Sequence, residues 1–123
     1  TREAGAPVGV YSQAVKVGNL VWTAGMGALD PKTGELVHVG DVKGQTAQTL
    51  ENLQATLKAA GTSLEHAVRV GVFLRDMSDF AEFNDAYKPF FPKDPPARTT
   101  VQAGALPVDG LLVEIEVIAA VPE

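Results

Sequence analysis

A chain of 123 residues is long enough for one domain with a real core, burying about 65% of its unfolded surface, and too short for two ordinary domains. Its formal net charge of −5 offers no basic footprint for a nucleic-acid backbone or an anionic membrane, and without cysteine it forms no disulfide, thiolate nucleophile or cysteine-zinc site. No apolar run approaches the ~20 residues of a membrane span and no basic-then-apolar leader is seen, so one soluble domain, residues 1–123, in the cytoplasm is expected.

In chain order, residues 14–17 and 20–24 are β-rich runs around Gly18-Asn19, both of which tolerate positive φ, which predicts a hairpin. Asp30-Pro31-Lys32-Thr33-Gly34-Glu35 is an exposed turn, with Pro presetting φ and Gly free to go left-handed. From Asp41 to Ala60, the residues Ala47, Leu50, Leu53, Leu57 and Ala60 recur at three and four, the spacing of one helical face, with Asp41 as N-cap and Gly61 as stop. Residues 67–74 are nearly continuous in apolar β-formers, as expected of a central strand covered on both faces. Ser78 or Asp79 caps a second helix striped with Phe80, Phe83, Tyr87 and Phe90, and Pro89 ends it because its ring clashes with the carbonyl four residues back. Two strands, about 98–101 and 112–119, close the chain.

This order, β-β-α-β-α-β-β, gives each helix one apolar stripe, so both are expected on one face of a mixed sheet, an α+β arrangement. Val68, Val70, Val72 and Leu74 point one way while Val113, Ile115 and Val117 need cover of their own, and no third helix is available. The uncovered face is therefore expected at a subunit interface.

Two features carry chemistry. Pro95-Pro96 stiffens the approach to Arg98, whose guanidinium suits a two-pronged grip on a small carboxylate; the apolar strand beyond carries Glu114 and Glu116, placed to position or deprotonate a water. Taken alone, Arg98 reads first as a structural ion-pair partner, and the alternation of Glu114 and Glu116 with Val and Ile as a solvated strand face. His38 and His66 lack the paired spacing of a zinc site, and Gly25 and Gly27 lack the Lys-Ser/Thr of a phosphate loop.

Pro96-Ala97-Arg98, Ala105-Leu106-Pro107 and Val113-Glu114-Ile115-Glu116 together resemble the signature of the Rid (YjgF/YER057c/UK114) family of reactive-intermediate deaminases. Supporting matches are Gly9-Val10-Tyr11-Ser12-Gln13-Ala14-Val15, Asp30-Pro31-Lys32-Thr33-Gly34, and Asp79-Phe80 through Asn84 and Tyr87, so the resemblance covers nearly the whole chain. It implies a chorismate-mutase-like fold, a homotrimer with ligand sites in clefts between subunits, and hydrolysis of small 2-imino acids or their enamine tautomers to 2-keto acids and ammonia. No metal or organic cofactor, nucleic acid or membrane is implied. Carried over by position, Arg98 grips the substrate carboxylate and Glu114 orients the attacking water, with Glu116 as fallback. Tyr11, Gly25, Asn84 and Thr100 are implied to bind substrate, and Phe80, Ala24 and Met26 to wall the pocket.

Ala24-Gly25-Met26 departs from the Ser-Gly-Gln usual there, removing a hydroxyl and an amide. That departure supports a second reading, a non-catalytic module sensing a keto acid or related carboxylate in the same cleft. A third, a ribonuclease, is opposed by the acidic balance and the absence of a Lys/Arg stripe.

Overall fold

The computed structural model describes residues 1–123. Strands β1 (Ala14–Val17) and β2 (Leu20–Thr23) form the expected hairpin. Of the two turn residues only Gly18 is left-handed, at φ 59°, the type II′ pattern. The Asp30 turn closes as expected, its Oδ1 accepting from the N–H groups of Lys32 and Thr33 while Gly34 takes φ 75°. Helix α1 (Val42–Ala59) starts where the Asp41 carboxylate accepts from Gly44 N–H at 3.1 Å and is followed by Gly61 at φ 91°. After β3 (Ala67–Leu74) a 3₁₀ turn, Met77–Asp79, leads into α2 (Phe80–Tyr87), and a second 3₁₀ turn at Lys88–Phe90 accommodates Pro89. The cap of this segment is Asp76, which accepts from Ser78 N–H at 2.9 Å, rather than Ser78 or Asp79. The 3₁₀ turn moves the first free N–H groups upstream, and Asp79 is left without a side-chain cap bond. Strands β4 (Ala97–Gln102) and β5 (Val113–Ala120) complete the chain.

The sheet order is β1-β2-β5-β3-β4, with β3 and β4 parallel and every other pair antiparallel. The strand in the middle is β5; β3 lies inside the sheet but one place off centre. Val70, Val72 and Leu74 sit opposite Val117, Ile115 and Val113, so the apolar sets of both strands share one face. All are at most 1% exposed, beneath Leu50, Leu53 and Leu57 of α1 and Phe83 and Tyr87 of α2.

The expectation that the two sets need separate covers is thus overturned: at this register antiparallel pairing stacks them on one side, and two helices cover both. Nor is β3 covered on both faces, since Val68, at a bulge against β5, and Arg69 are exposed. The opposite sheet face stays open and mixed, presenting Val15, Trp22, Arg69, Glu116 and Val101, with Val15 55% and Trp22 49% exposed.

Helix α1 buries polar residues as well as leucines. Thr46, Thr49 and Thr56 each donate to the carbonyl four residues back, at 2.7, 2.7 and 3.0 Å. Gln45, fully buried, donates to the carbonyls of His38 and Gly110 and accepts from Leu112 N–H, pinning the β4–β5 loop. Asn52 donates to the carbonyls of Gly27 and Leu29 and accepts from Gln48. Because Leu53 lies fully enclosed between α1 and the sheet, Leu53→Ala is expected to lower the unfolding free energy by about 2–5 kcal/mol. Urea titration at an unchanged m-value measures it.

Candidate functional site

Strand β4 pairs Arg98 with Val70 and Thr100 with Val72, which turns both toward α2. The Arg98 guanidinium carbon lies 5.6, 5.3 and 4.8 Å from the ring centres of Phe80, Phe83 and Tyr87. No carboxylate pairs with it, the ion pairs of the chain being His38–Asp41 and Lys43–Asp85. A cation held by ring faces keeps its planar fork of N–H groups free for a carboxylate. Two further polar groups beside it, Thr100 Oγ1 and the Tyr87 hydroxyl, are buried without a partner. Burial pushes the Tyr87 phenol up to about 12, and the nearby Arg98 guanidinium pulls the other way. Asn84, half-buried, shares the helical stripe of Phe80 and Tyr87.

The second cluster forms where β2 leaves β5. Trp22 faces Ile118, and pairing resumes between Met26 and Ile115 through N···O contacts of 2.8 and 2.9 Å, so residues 23–25 oppose only 116 and 117. This is a β-bulge, and in it Thr23 Oγ1 accepts from Val117 N–H at 2.9 Å in place of a carbonyl. The bulge sets Gly25 against Glu114: a Cβ on Gly25 would meet Glu114 Oε2 at 2.6 Å. Glu114 is half-buried and has no hydrogen-bond or ion-pair partner. Burial first, and repulsion from Glu116 second, raise its carboxyl above the usual range. Glu116, on the same face, is exposed and lies across Gly71, whose Cβ would meet its Cγ at 2.9 Å.

Glu114 borders a half-open cavity of about 240 Å³ lined by the N-terminal segment, residues 24–34 and the loop before β5. Tyr11, Ala24, Gly25 and Met26 line it as well. The Tyr11 hydroxyl accepts from Val8 N–H at 3.1 Å, and Gln13 ties the N-terminal segment down through Thr1 and Gly5. Met26, part of the cavity lining, has its sulfur accepting from Thr56 Oγ1 of α1 at 3.6 Å, so the side chain at this position is tied to the helix.

The predicted site residues therefore fall into two groups. Arg98, Thr100, Asn84 and Phe80 gather at β4 and α2; Tyr11, Ala24, Gly25, Met26 and Glu114 gather at the cavity. Arg98 and Glu114 lie on opposite faces of one sheet, because Arg98 is level with Val70 and Glu114 with Phe73. Phe80 belongs to the arginine group and does not wall the Glu114 cavity. Sequence reasoning missed Thr23, Gln45 and Asn52, the groups that hold the bulge and the loops in place. One signal was present: Gln45, Thr49, Asn52 and Thr56 repeat at helical spacing, a polar stripe beside the leucines.

A mixed five-stranded sheet with both helices on one side, carrying an uncompensated arginine at its edge and a bulge-supported carboxylate on the other face, defines a small α+β protein with two separate candidate clusters. The sequence matches the family described as endoribonuclease L-PSP over residues 1–121. The RutC family protein PH0854 of Pyrococcus horikoshii is 50% identical over 119 residues, covering 97% of this chain and 93% of that protein. RidA from the Antarctic bacterium Psychrobacter sp. PAMC 21119 is 46% identical with a TM-score of 0.92, over 98% of this chain and 95% of that one. Escherichia coli TdcF, solved with bound serine, is 37% identical with a TM-score of 0.90, over 98% and 94%. The chain belongs to the Rid (YjgF/YER057c/UK114) family. No helix is long and apolar enough to cross a membrane.

A carboxyl whose folded-state pKa is raised favours the fold below its unfolded value of about 4.3 and loses that contribution as pH rises through the raised value. Ionised Glu114 therefore opposes folding at neutral pH. Glu114→Gln is expected to melt at or above the wild-type temperature at pH 7, with the gap closing by about pH 4. Thermal melts across that range check this; a variant melting below wild type at pH 7 would contradict it.

Proposed function

We propose that the protein hydrolyses small 2-imino acids and their enamine tautomers to 2-keto acids and ammonia, without a cofactor, at sites shared between neighbouring subunits of a chorismate-mutase-like homotrimer. The observation that carries this is the separation of Arg98 and Glu114: each is unpaired and half-enclosed, and one chain keeps them on opposite sheet faces. A neighbouring subunit supplies the missing half of each. The exposed Val15, Trp22 and Val101 of the open face support packing between subunits. Serine, held by TdcF, has the carboxylate and α-nitrogen of a 2-imino acid.

In this reaction the Arg98 fork holds the carboxylate, with Thr100 and Asn84 beside it, and presents the imine carbon to a water next to Glu114. The carbon is already electrophilic, so orientation supplies much of the acceleration. Starting from the iminium form, Glu114 takes a proton as the water oxygen bonds to that carbon and gives it to the nitrogen of the carbinolamine; the C–N bond then breaks, ammonia leaves, and the hydroxyl proton passes to Glu114 as the C=O forms, to be carried off by the departing ammonia or by solvent. A carboxyl lifted by burial is a stronger base than a free carboxylate, which favours its taking a proton from the water before passing it on. Tyr11 and Gly25 contribute the N-terminal wall and the close backbone approach. A sensing module would use Arg98 in the same way and ask nothing of Glu114; Ala24, which brings no hydroxyl to the cavity, favours it.

The test is to generate 2-iminopropanoate with an amino-acid oxidase, trap it with semicarbazide, and measure loss of trapping. Wild type is expected to suppress trapping, and Arg98→Ala to lose at least about tenfold in kcat/KM, the worth of a charge-assisted hydrogen bond. Gly25→Ala, which pushes only the flexible end of Glu114, is expected to fold normally yet lose activity. Arg98→Ala and Glu114→Gln, unfolded and refolded together, should recover about a quarter of the wild-type activity if each site joins two subunits. A mixture no more active than its parts would place the whole site in one chain.

A further inference from the structure

Two buried side-chain polar atoms of the chain lack a hydrogen-bond partner, and both belong to residues around Arg98: the Tyr87 hydroxyl and Thr100 Oγ1. An orphaned hydroxyl in an apolar interior opposes folding. Two of them at one point of the molecule ask for the group that would use them. Packing leaves the Tyr87 ring no room to turn: it stacks on Phe91 with ring centres 4.5 Å apart, tilts against Phe83 at 5.3 Å, and the residue is only 7% exposed. Its hydroxyl therefore cannot swing out to water.

The group that can come to it is the guanidinium, whose carbon lies closer to the Tyr87 ring, at 4.8 Å, than to Phe83 or Phe80. Burial keeps the phenol neutral, with Arg98 near enough to act on it, so its oxygen is free to accept. Thr100, two residues further along β4 and on the same face as Arg98, offers a second oxygen of this kind. A guanidinium carries five N–H donors in one plane, and a two-pronged grip on a carboxylate uses two of them. As a ligand closes over the fork, the other three lose water and need acceptors. The rings attract the charge through their faces but accept nothing in that plane.

We infer that Tyr87 is the positioning residue of the carboxylate grip: its hydroxyl accepts from the edge of Arg98 turned away from the ligand, with Thr100 Oγ1 as the second acceptor, and together they fix the plane of the fork. In the empty site both hydroxyls stay unbonded, and turning the fork toward a carboxylate brings its far edge to them. The inference rests on the carboxylate grip proposed above and asks nothing of Glu114.

Tyr87→Phe keeps the ring stack and removes only the oxygen. Calorimetry with pyruvate is expected to show its Kd raised about tenfold, as for loss of a hydrogen bond to a charged group. With 2-iminopropanoate the KM should rise by a similar factor at a kcat within about twofold, since the grip is the same in ground and transition states. The same variant is expected to melt at or above the wild-type temperature, because the hydroxyl it removes has no partner in the empty protein. In Arg98→Lys, which keeps the charge but has no second edge, adding Tyr87→Phe should weaken binding by less than about twofold. Should Tyr87→Phe fold poorly, Thr100→Val should raise the Kd severalfold without lowering the melting temperature. An unchanged Kd in a folded variant overturns the inference, as does a loss as large beside Arg98→Lys as beside Arg98. A lower melting temperature with unchanged binding gives the hydroxyl to the fold, bonded through an internal water, and overturns it too. Pyruvate binding weakened by Tyr87→Phe, without hydrolysis of any imine, removes the hydrolase and leaves the inference. Hydrolysis and binding that Tyr87→Phe leaves untouched do the reverse, and a wild type that neither binds pyruvate nor hydrolyses an imine removes both.

Discussion

The alternation of β5 is the constraint on which the rest of the molecule depends. Val113, Ile115, Val117 and Ala119 are at most 1% exposed, and the strand is paired along both edges. A slip of one residue would exchange these four for Glu114, Glu116 and their neighbours, driving two carboxylates beneath the helices without partners. Because β5 lies in the middle of the sheet, its register propagates outward: it sets which residues of β3 face the helices, and through β3 it turns Arg98 toward α2.

Two charged groups are left without a hydrogen-bonding or ionic partner. Arg98 rests among three aromatic rings with no counter-charge, and Glu114 is drawn partly out of water with no donor to receive it. The buried amides of Gln45 and Asn52 are the opposite case, with hydrogen-bond partners for both the nitrogen and the oxygen of each. The contrast is one of satisfaction: the polar groups that hold the loops are fully bonded, while Arg98 and Glu114 have no polar partner within the chain. The bulge links the two, since Thr23 repairs the lost ladder bond and lets Gly25 come up against the carboxylate.

Much of the fold was legible because its signals are local. The Gly18 turn, the leucine period of α1, Gly61 and the stop at Pro89 each depend on the conformational preference of a few residues, and each lies where expected. The two-sided cover read into residues 67–74 was not legible, since a run of β-formers looks the same whether one face is buried or two. The cap at Asp76 and the bulge at residues 23–25 were hidden for a related reason: both are set by where a neighbouring turn or strand begins.

The sequence by itself determined which groups are available for chemistry and what surrounds them locally: an arginine stiffened by two prolines and a glutamate inside an apolar strand. Alternation along each strand also settled that Arg98 shares a face with Thr100, and Glu114 with Glu116. Only the tertiary structure decided that these two pairs face opposite ways, that Glu114 rather than Glu116 borders a cavity, and that Met26 looks toward α1. Those outcomes depend on the register between strands distant in sequence and on one extra residue in a bulge, and pairing of that kind is set by the burial of the whole sheet rather than by any segment of it.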